Sequence, residues 1–406
     1  MTAIRLNGNR WVLDSGGTLQ SIECAFRPTS GAQLLIFWNA ESTILMKMTT
    51  MSTIVLGVLG SSAAFCQAPA PAAPRTGPGV QAPQDAKYAD LIKTCKVPPP
   101  AAPGRGGAAK GGPAKGQEKG PAAAAAAGPN DVTSTAIPGV IAAGQKWKEA
   151  WKVEGNNADG IVATKDGGIL LAQNDNSNVV KLDKDGKVST VYTGLNTSGS
   201  VAMNGKYLFV LNRGLNQSIE QMEPKRKTLV NKNNGDPLDC LGGILNDMTA
   251  DSKGGVYFTM GGLYHADANG KITKYGENLN TNGIVLSPDE KHLYVTNGPT
   301  VAGFDVQKDG SLTNQREFAK LEAGGGGDGS TFDSAGRLYV TAQAAGIQVF
   351  DPTGKYLGVI PTPRPVITVT FSGADRKTLY AVSRTGNTDW IIAIPMIAQG
   401  PKGRGK

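Results

Sequence analysis

Residues 282–295 read Asn282-Gly283-Ile284-Val285-Leu286-Ser287-Pro288-Asp289-Glu290-Lys291-His292-Leu293-Tyr294-Val295. An amide and a glycine lead into a β-branched run, a Ser-Pro-Asp cluster turns the chain, and a second apolar strand follows. The pattern, closed by a hairpin signal, returns over residues 159–192, 246–275, 282–312 and 328–360. The hairpin signals are Asp185-Gly186, Asn269-Gly270, Asp309-Gly310 and Thr353-Gly354. Two looser copies occupy 200–230 and 366–394. The leading residues Asp159, Ser200, Asn246, Asn282 and Asp328 stand 41, 46, 36 and 46 positions apart, close to one four-stranded blade. Six such units predict an all-β fold, a six-bladed β-propeller over residues 147–396. Trp147, Glu149, Trp151 and Val153 alternate onto one face of an extended segment, which predicts that the last blade takes its outer strand from the N-terminal side. A β-sandwich is the architectural alternative, and the regular repeat argues against it.

Composition agrees with many turns. The 406 residues include 54 Gly and 24 Pro, with 6% aromatic and 18% charged residues, which excludes a coiled coil or long helical bundle. The formal charge of +8 is unevenly placed: residues 1–150 hold 14 basic and 8 acidic groups, and 151–396 hold 24 and 25. The basic excess lies in the tails, so a nucleic-acid groove in the folded body is not expected. Only His265 and His292 are present, too few for a His-rich zinc centre and neither beside a nucleophile-elbow motif. Chemistry must then come from carboxylates, amides and a hard metal.

The front end reads as a leader. Met46-Lys47-Met48, the apolar run 54–59 and Ser61-Ser62-Ala63-Ala64-Phe65-Cys66 form a secretory signal pattern over 46–66, too short in its apolar part to span a membrane. Residues 1–66 are expected to be non-structural leader, 67–146 a flexible segment and 397–406 a basic tail. In the stretch 98–129, 29 of 32 residues are Ala, Gly, Pro or Lys, a composition that builds no core. Residues 85–95 before it have helical character and are read as docked or loose. The protein is expected in the periplasm or outside the cell, without a transmembrane span after cleavage. Removing the leader leaves Cys95 and Cys240, which either form one disulfide or remain a free thiol and a small buried one.

The residues before each first strand converge at one mouth of a propeller axis. Asp159-Gly160, Asn246-Asp247, Asn282-Gly283 and Asp328-Gly329 would bring oxygen donors there from four blades, a set suited to a hard cation. The glycines are read as turning the backbone and leaving room for a ligand. Such pairs are also ordinary turn formers, and what separates these is their place at blade starts. Among the loops, Lys225-Arg226-Lys227 and residues 231–245 are read as a lid or, the blander choice, a solvated connection.

These residues carry a resemblance. Residues 282–295, the run Asp328-Gly329-Ser330-Thr331-Phe332-Asp333 continuing through Arg337-Leu338-Tyr339-Val340, Asn246-Asp247-Met248, and Phe371-Ser372-Gly373 with Lys377-Thr378-Leu379-Tyr380 resemble, in order, motifs of the senescence marker protein (regucalcin), gluconolactonase and luciferin-regenerating enzyme family. The resemblance covers roughly residues 151–396. It implies a six-bladed propeller whose axial divalent cation, calcium first and magnesium, manganese or zinc as alternatives, is held by Asn282, Asp328 and a third acid. That acid is Asp159, where the family has Glu-Gly-Pro and this chain has Asp159-Gly160-Ile161, or else Glu154. Asn246 and Asp247 match substrate-contacting positions, and the family's Arg two residues before the Asn-Asp element is Ile244 here. Met260-Gly261-Gly262 also departs from the gluconolactonase pattern.

The activity implied is metal-assisted opening of a small lactone or ester, with Asp328 or Asp247 as the base. The alternatives are a non-catalytic binding propeller using the same mouth and an envelope scaffold tethered by the basic linker. Sequence leaves the oligomeric state open.

Overall fold

The computed structural model describes residues 3–6, 9–13, 19–22, 79–99 and 132–403. Residues 148–395 form six four-stranded antiparallel sheets. Blade 1 comprises Ile161–Ala163, Ile169–Gln173, Asn178–Leu182 and Val188–Tyr192, and blade 2 Ser198–Asn204, Tyr207–Asn212, Ser218–Glu223 and Lys227–Val230. Blade 3 runs Met248–Ala250, Val256–Thr259, Leu263–Ala266, Ile272–Tyr275, and blade 4 Thr281–Leu286, His292–Asn297, Thr300–Val306, Leu312–Lys320. Blade 5 is Ser330–Phe332, Leu338–Thr341, Ile347–Phe350 and Tyr356–Ile360. Blade 6 takes Val366–Ser372, Thr378–Thr385 and Thr388–Pro395 from the C-terminal side and its outermost strand, Lys148–Glu154, from the N-terminal side. The ring is thus closed by chain ends as the Trp147–Val153 alternation predicts, except that a register shift between Ile391 and Ile392 bulges out Ala150 and leaves Glu149 exposed.

First strands of successive blades touch in cyclic order, blade 6 against blade 1 included. The apolar residues sort into six clusters, one at each blade-to-blade interface, because each sheet is covered on both faces and side chains of both parities are buried. Second strands such as Ile169–Gln173 and Val256–Thr259 are buried at every position. The hairpins between third and fourth strands fall at the predicted Gly pairs, and in three of them an aspartate two residues earlier staples the turn. Asp183, Asp267 and Asp351 each accept two backbone N–H groups through Oδ1 at 2.8–3.1 Å.

The glycines after the leading residues serve packing rather than turning. A Cβ on Gly160 would lie 2.5 Å from Ser200 Cα, one on Gly283 2.1 Å from the Asp328 carbonyl oxygen, and one on Gly329 2.5 Å from Thr368 Oγ1. Gly160 N–H donates to Gly199 O at 3.1 Å and Gly329 N–H to Ile367 O at 2.8 Å. The room expected for a ligand is therefore filled by the neighbouring blade's first strand.

The segment before the propeller is packed where it is described. Ile137, Val140, Ile141 and Trp147 are buried against blades 5 and 6, and Trp147 Nε1 donates to Pro361 O at 2.8 Å. Residues 79–99 form a strap with a 3₁₀ turn at Ala82–Gln84 and a short helix at Tyr88–Ile92. A disulfide joins Cys95 to Cys240, with Cα atoms 5.6 Å apart. The C-terminal residues also pack: Ala398 is 3% exposed and Gly205 N–H donates to Gly403 O at 3.1 Å. The described parts of 67–146, residues 79–99 and 132–146, are therefore packed rather than flexible.

A separate unit at the N-terminus contains a three-stranded antiparallel meander, Ala3–Leu6, Asn9–Leu13 and Leu19–Ile22, in a stretch expected to be without structure. Its first two strands pair from Leu6 with Asn9 back to Ala3 with Val12, a hairpin inside the stretch read as leader. The signal pattern at 46–66 and residues 100–131 lie outside the described residues. No helix among the described residues is long and apolar enough to cross a membrane.

Candidate active site

Asp159, Asn246 and Asp328 come to one end of the axis because each extends its blade's ladder by one step, whereas Asn282 lies inside its first strand, Thr281–Leu286, and Ser200 is buried inside Ser198–Asn204. The N–H groups of Asp159, Asn246 and Asp328 donate to Ala172 O, Thr259 O and Thr341 O, at the ends of second strands, at 2.9–3.1 Å. Asp159, Asn246, Asn282 and Asp328 are all half-buried. Asn246 Nδ2 donates to Asn282 Oδ1 at 2.6 Å, and Thr259 Oγ1 donates to Asn282 O at 2.6 Å. Asp328 Oδ2 accepts from Gln343 Nε2 at 2.9 Å.

Two residues expected here stand elsewhere. Asp247 is 7% exposed; its Oδ1 accepts from Ser200 Oγ at 2.8 Å and Met248 N–H at 2.9 Å, and its Oδ2 from Ile284 N–H at 3.1 Å. It brackets blades 2, 3 and 4 together, and its carboxylate is occupied by that task. Glu154 ends the outermost strand of blade 6, exposed and three strands away from the axis, so it does not replace Asp159.

A second ring of side chains, from the ends of the second strands, completes the mouth: Asn174, Arg213, Gln343 and Arg384. Arg213 is the most engaged. Its side chain is 6% exposed, and the guanidinium pairs with Asp159 Oδ2 through Nη1 and with Asn246 O through Nη2. Nε donates to Leu245 O at 2.8 Å, and the two amino groups also reach Asn174 Oδ1 at 3.4 Å and Asn246 Oδ1 at 3.2 Å. Arg384 donates through Nε to Asp389 Oδ1 at 2.5 Å and through Nη2 to Asn156 Oδ1 at 2.7 Å and Ala158 O at 3.0 Å. Burial pushes the Asp159 carboxyl up, but the charges of Arg213 and Arg384 and the bonds from Arg213 and Asn174 outweigh it and hold the pKa below the ordinary carboxylate value. Neither arginine was selected from sequence, because only the starts of first strands were read; the available signal was a pair of arginines at matching strand ends of two units.

The strap reaches this rim. Thr197 Oγ1 donates to Val80 O at 3.2 Å, the Ala82 N–H donates to Arg213 O at 2.7 Å, and Ala82 is fully buried. The 231–245 connection is packed too: Asp239 is buried and accepts from Gln217 N–H at 3.0 Å, and Arg226 donates to Thr193 O and Gly194 O at 3.0 Å. It is a packed connection at Leu238, Asp239 and Leu245 rather than the solvated one expected.

A divalent cation held by Asp159, Asn282 and Asp328 does not fit this arrangement. Asp159 is paired with a buried guanidinium, Asn282 Oδ1 accepts from Asn246, and a second guanidinium acts on both Asp159 and Asp328. Among the described residues no three His, Cys, Asp or Glu side chains are grouped to hold a metal.

Residues 190–385 match the family model described as SMP-30/Gluconolactonase/LRE-like region. A lactonase drp35 of Staphylococcus epidermidis is 30% identical over 210 residues, which cover 47% of this chain and 57% of that one. A 6-deoxy-6-sulfogluconolactonase of Pseudomonas putida is 36% identical over 133 residues, 29% of this chain and 45% of that one. The chain thus spans little more than half the length of the first of these relatives. In fold, a gluconolactonase from Xanthomonas campestris superposes with a TM-score of 0.56 at 21% identity, covering 69% of this chain and 98% of that one. A luciferin-regenerating enzyme superposes at 0.54 and 17% identity, over 64% and 98%. In the matched region and in its six blades, the chain is similar to proteins of the SMP-30/gluconolactonase/LRE-like family.

Proposed function

We propose that the protein is an exported hydrolase that opens a small lactone at the axial mouth. The observation that carries this reading is that Asn246, Asn282 and Asp328 stand half-buried at the first-strand starts of three successive blades, the two amides bonded to each other and the carboxylate held by Gln343, inside a region matched to lactonases. The Asn282 amide, fixed by Asn246 through its oxygen, keeps Nδ2 free of described partners and orients the substrate ester. Asp328, aligned by Gln343, takes a proton from a water whose oxygen attacks the lactone carbonyl carbon. The ring C–O bond then breaks, the proton passes from Asp328 to the departing alkoxide, and an open-chain hydroxy acid leaves with Asp328 restored as carboxylate. Export is supported by the signal pattern at 46–66 and by the Cys95–Cys240 disulfide, a bond that persists in oxidising compartments.

The test is a panel of five- and six-membered lactones followed by acid release in weak buffer. The expected result is turnover that Asp328→Asn lowers by about 10²–10⁴-fold, the usual worth of a positioned base, without unfolding. Absence of hydrolysis across the panel, or an active Asp328→Asn variant, refutes the reading.

A further inference from the structure

The mouth already contains fixed positive charge. Arg213 lies between blades 1 and 3 with Nε, Nη1 and Nη2 all bonded to protein oxygens. The chain makes room for it: a Cβ on Gly199 would lie 2.0 Å from Arg213 Nε and 2.4 Å from Cζ. Arg384 differs. Its side chain is 32% exposed, Nε and Nη2 are anchored on Asp389, Asn156 and Ala158, and Nη1 donates to no described residue. Its anchor is firm, because Asp389 is fully buried and itself accepts the N–H groups of Asn157 and Ala158 at 2.9 and 2.8 Å. The Arg384 Nη2 bonds to Asn156 Oδ1 and Ala158 O set the guanidinium against the segment that leads into Asp159, and its charge acts on both Asp159 and Asp328.

We propose that the electrophile at this mouth is Arg384, whose Nη1 donates to the substrate carbonyl oxygen, while Arg213 holds Asp159 and Asn246 in the place a divalent cation would otherwise organise. The inference rests on the lactonase reading for the identity of the carbonyl. A partly dehydrated guanidinium aimed at the oxygen where negative charge develops does the work of an oxyanion donor, and Arg stays protonated throughout. Arg213, which has no donor left for a ligand, is a positioning residue: it holds the Asp159 carboxylate through Nη1 and fixes the amide that orients Asn282.

The experiment uses the purified mature chain after exhaustive treatment with a chelator. Calcium, magnesium, manganese and zinc chlorides are titrated calorimetrically and by melting temperature, and lactone turnover is measured with and without chelator. The expected result is no stoichiometric metal binding, no rise in melting temperature, and turnover within about twofold of the untreated protein. Arg384→Gln is expected to lower kcat by about 10²–10³-fold, the range found for a lost oxyanion donor, with KM changed much less, and Arg384→Lys to recover part of it. Stoichiometric binding of any of these ions with a rise in melting temperature, or turnover lost to chelator and restored by metal, overturns the inference. So does a folded Arg384→Gln variant with unchanged kcat. If no lactone is turned over, the lactonase reading falls by itself, and the metal titration of the unsubstituted protein still decides whether the arginines have replaced the ion.

Discussion

Asp247 separates a structural carboxylate from a catalytic one. Asp247→Asn keeps the shape of the side chain but exchanges one acceptor oxygen for a donor. Three groups now point at that carboxylate, Ser200 Oγ–H, Met248 N–H and Ile284 N–H, at 2.8, 2.9 and 3.1 Å. One amide oxygen can serve the Oδ1 pair or the Oδ2 partner, not both, so at least one buried N–H faces an NH₂ group. An unsatisfied buried donor costs about 1–3 kcal/mol, and bonds to a charged acceptor are worth about 1.5–3 kcal/mol each. The expected loss is therefore about 2–5 kcal/mol, or roughly 5–15 °C in melting temperature for a body of this size. Differential scanning calorimetry at pH 7 reads it directly. Turnover of the folded fraction, measured well below the transition, is expected within about tenfold of the parent, short of the 10²–10⁴ that removal of a general base brings. A variant that melts where the parent does and has lost its turnover would refute the argument and return Asp247 to the chemistry.

Two further outcomes follow from the same geometry. The Cys95–Cys240 bond closes a loop of 145 residues, so Cys95→Ser with Cys240→Ser is expected to destabilise by up to about 5 kcal/mol in the chain-entropy picture; faster proteolysis within 79–99 checks it, and unchanged protection refutes it. Asp159 and Asp251 are both held below the ordinary carboxylate pKa: burial raises each, but Arg213 and Arg384 outweigh it at Asp159, and His265 with the Gly255 and Lys253 N–H groups at Asp251. Depressed acids contribute stability that is complete above their unfolded pKa of about 4 and is lost as pH falls below it. Melting temperature is thus expected to hold from pH 7 to about 5 and to drop below about 4, and a flat profile down to pH 3 would contradict these pairings.

The propeller was legible because its blades are near copies: first-strand starts, hairpin pairs and the Trp147–Val153 closing strand each repeat or alternate in ways one-dimensional reading detects. What escaped was interaction between copies. The glycines of Gly160, Gly283 and Gly329 look like turn residues along the chain, yet their lack of a side chain is required by the adjacent blade. Asp247 and Asn246 are neighbours in sequence, but strand alternation sends one into the interface between blades and the other to the mouth. The second ring, Asn174, Arg213, Gln343 and Arg384, has no residue type common to all four, and only its two arginines at matching strand ends leave a trace in the sequence. The pairing of Ala3–Leu6 with Asn9–Leu13 was hidden for a different reason, since a signal-like stretch downstream argued that everything before it was leader.

The departures from the family pattern become one change when Arg213 is considered. An Asp replaces the longer Glu at 159, and an Ile stands at 244 where an Arg is common. Arg213, on a different blade, answers both: its Nη1 pairs with the shortened acid, and its Nε and Nη2 bond Leu245 O and the Asn246 carbonyl and amide oxygens, the neighbourhood the missing arginine would serve. A Glu at 159 would extend one methylene further toward that guanidinium. An Arg at 244, next to Leu245, would bring a second cation near the Arg213 guanidinium, with like-charge repulsion in a low-dielectric setting. Gly199, with no Cβ to collide with Arg213, belongs to the same set. The substitutions therefore stand or fall together, and restoring Glu at 159 or Arg at 244 singly is expected to harm this mouth rather than return it to the family's arrangement.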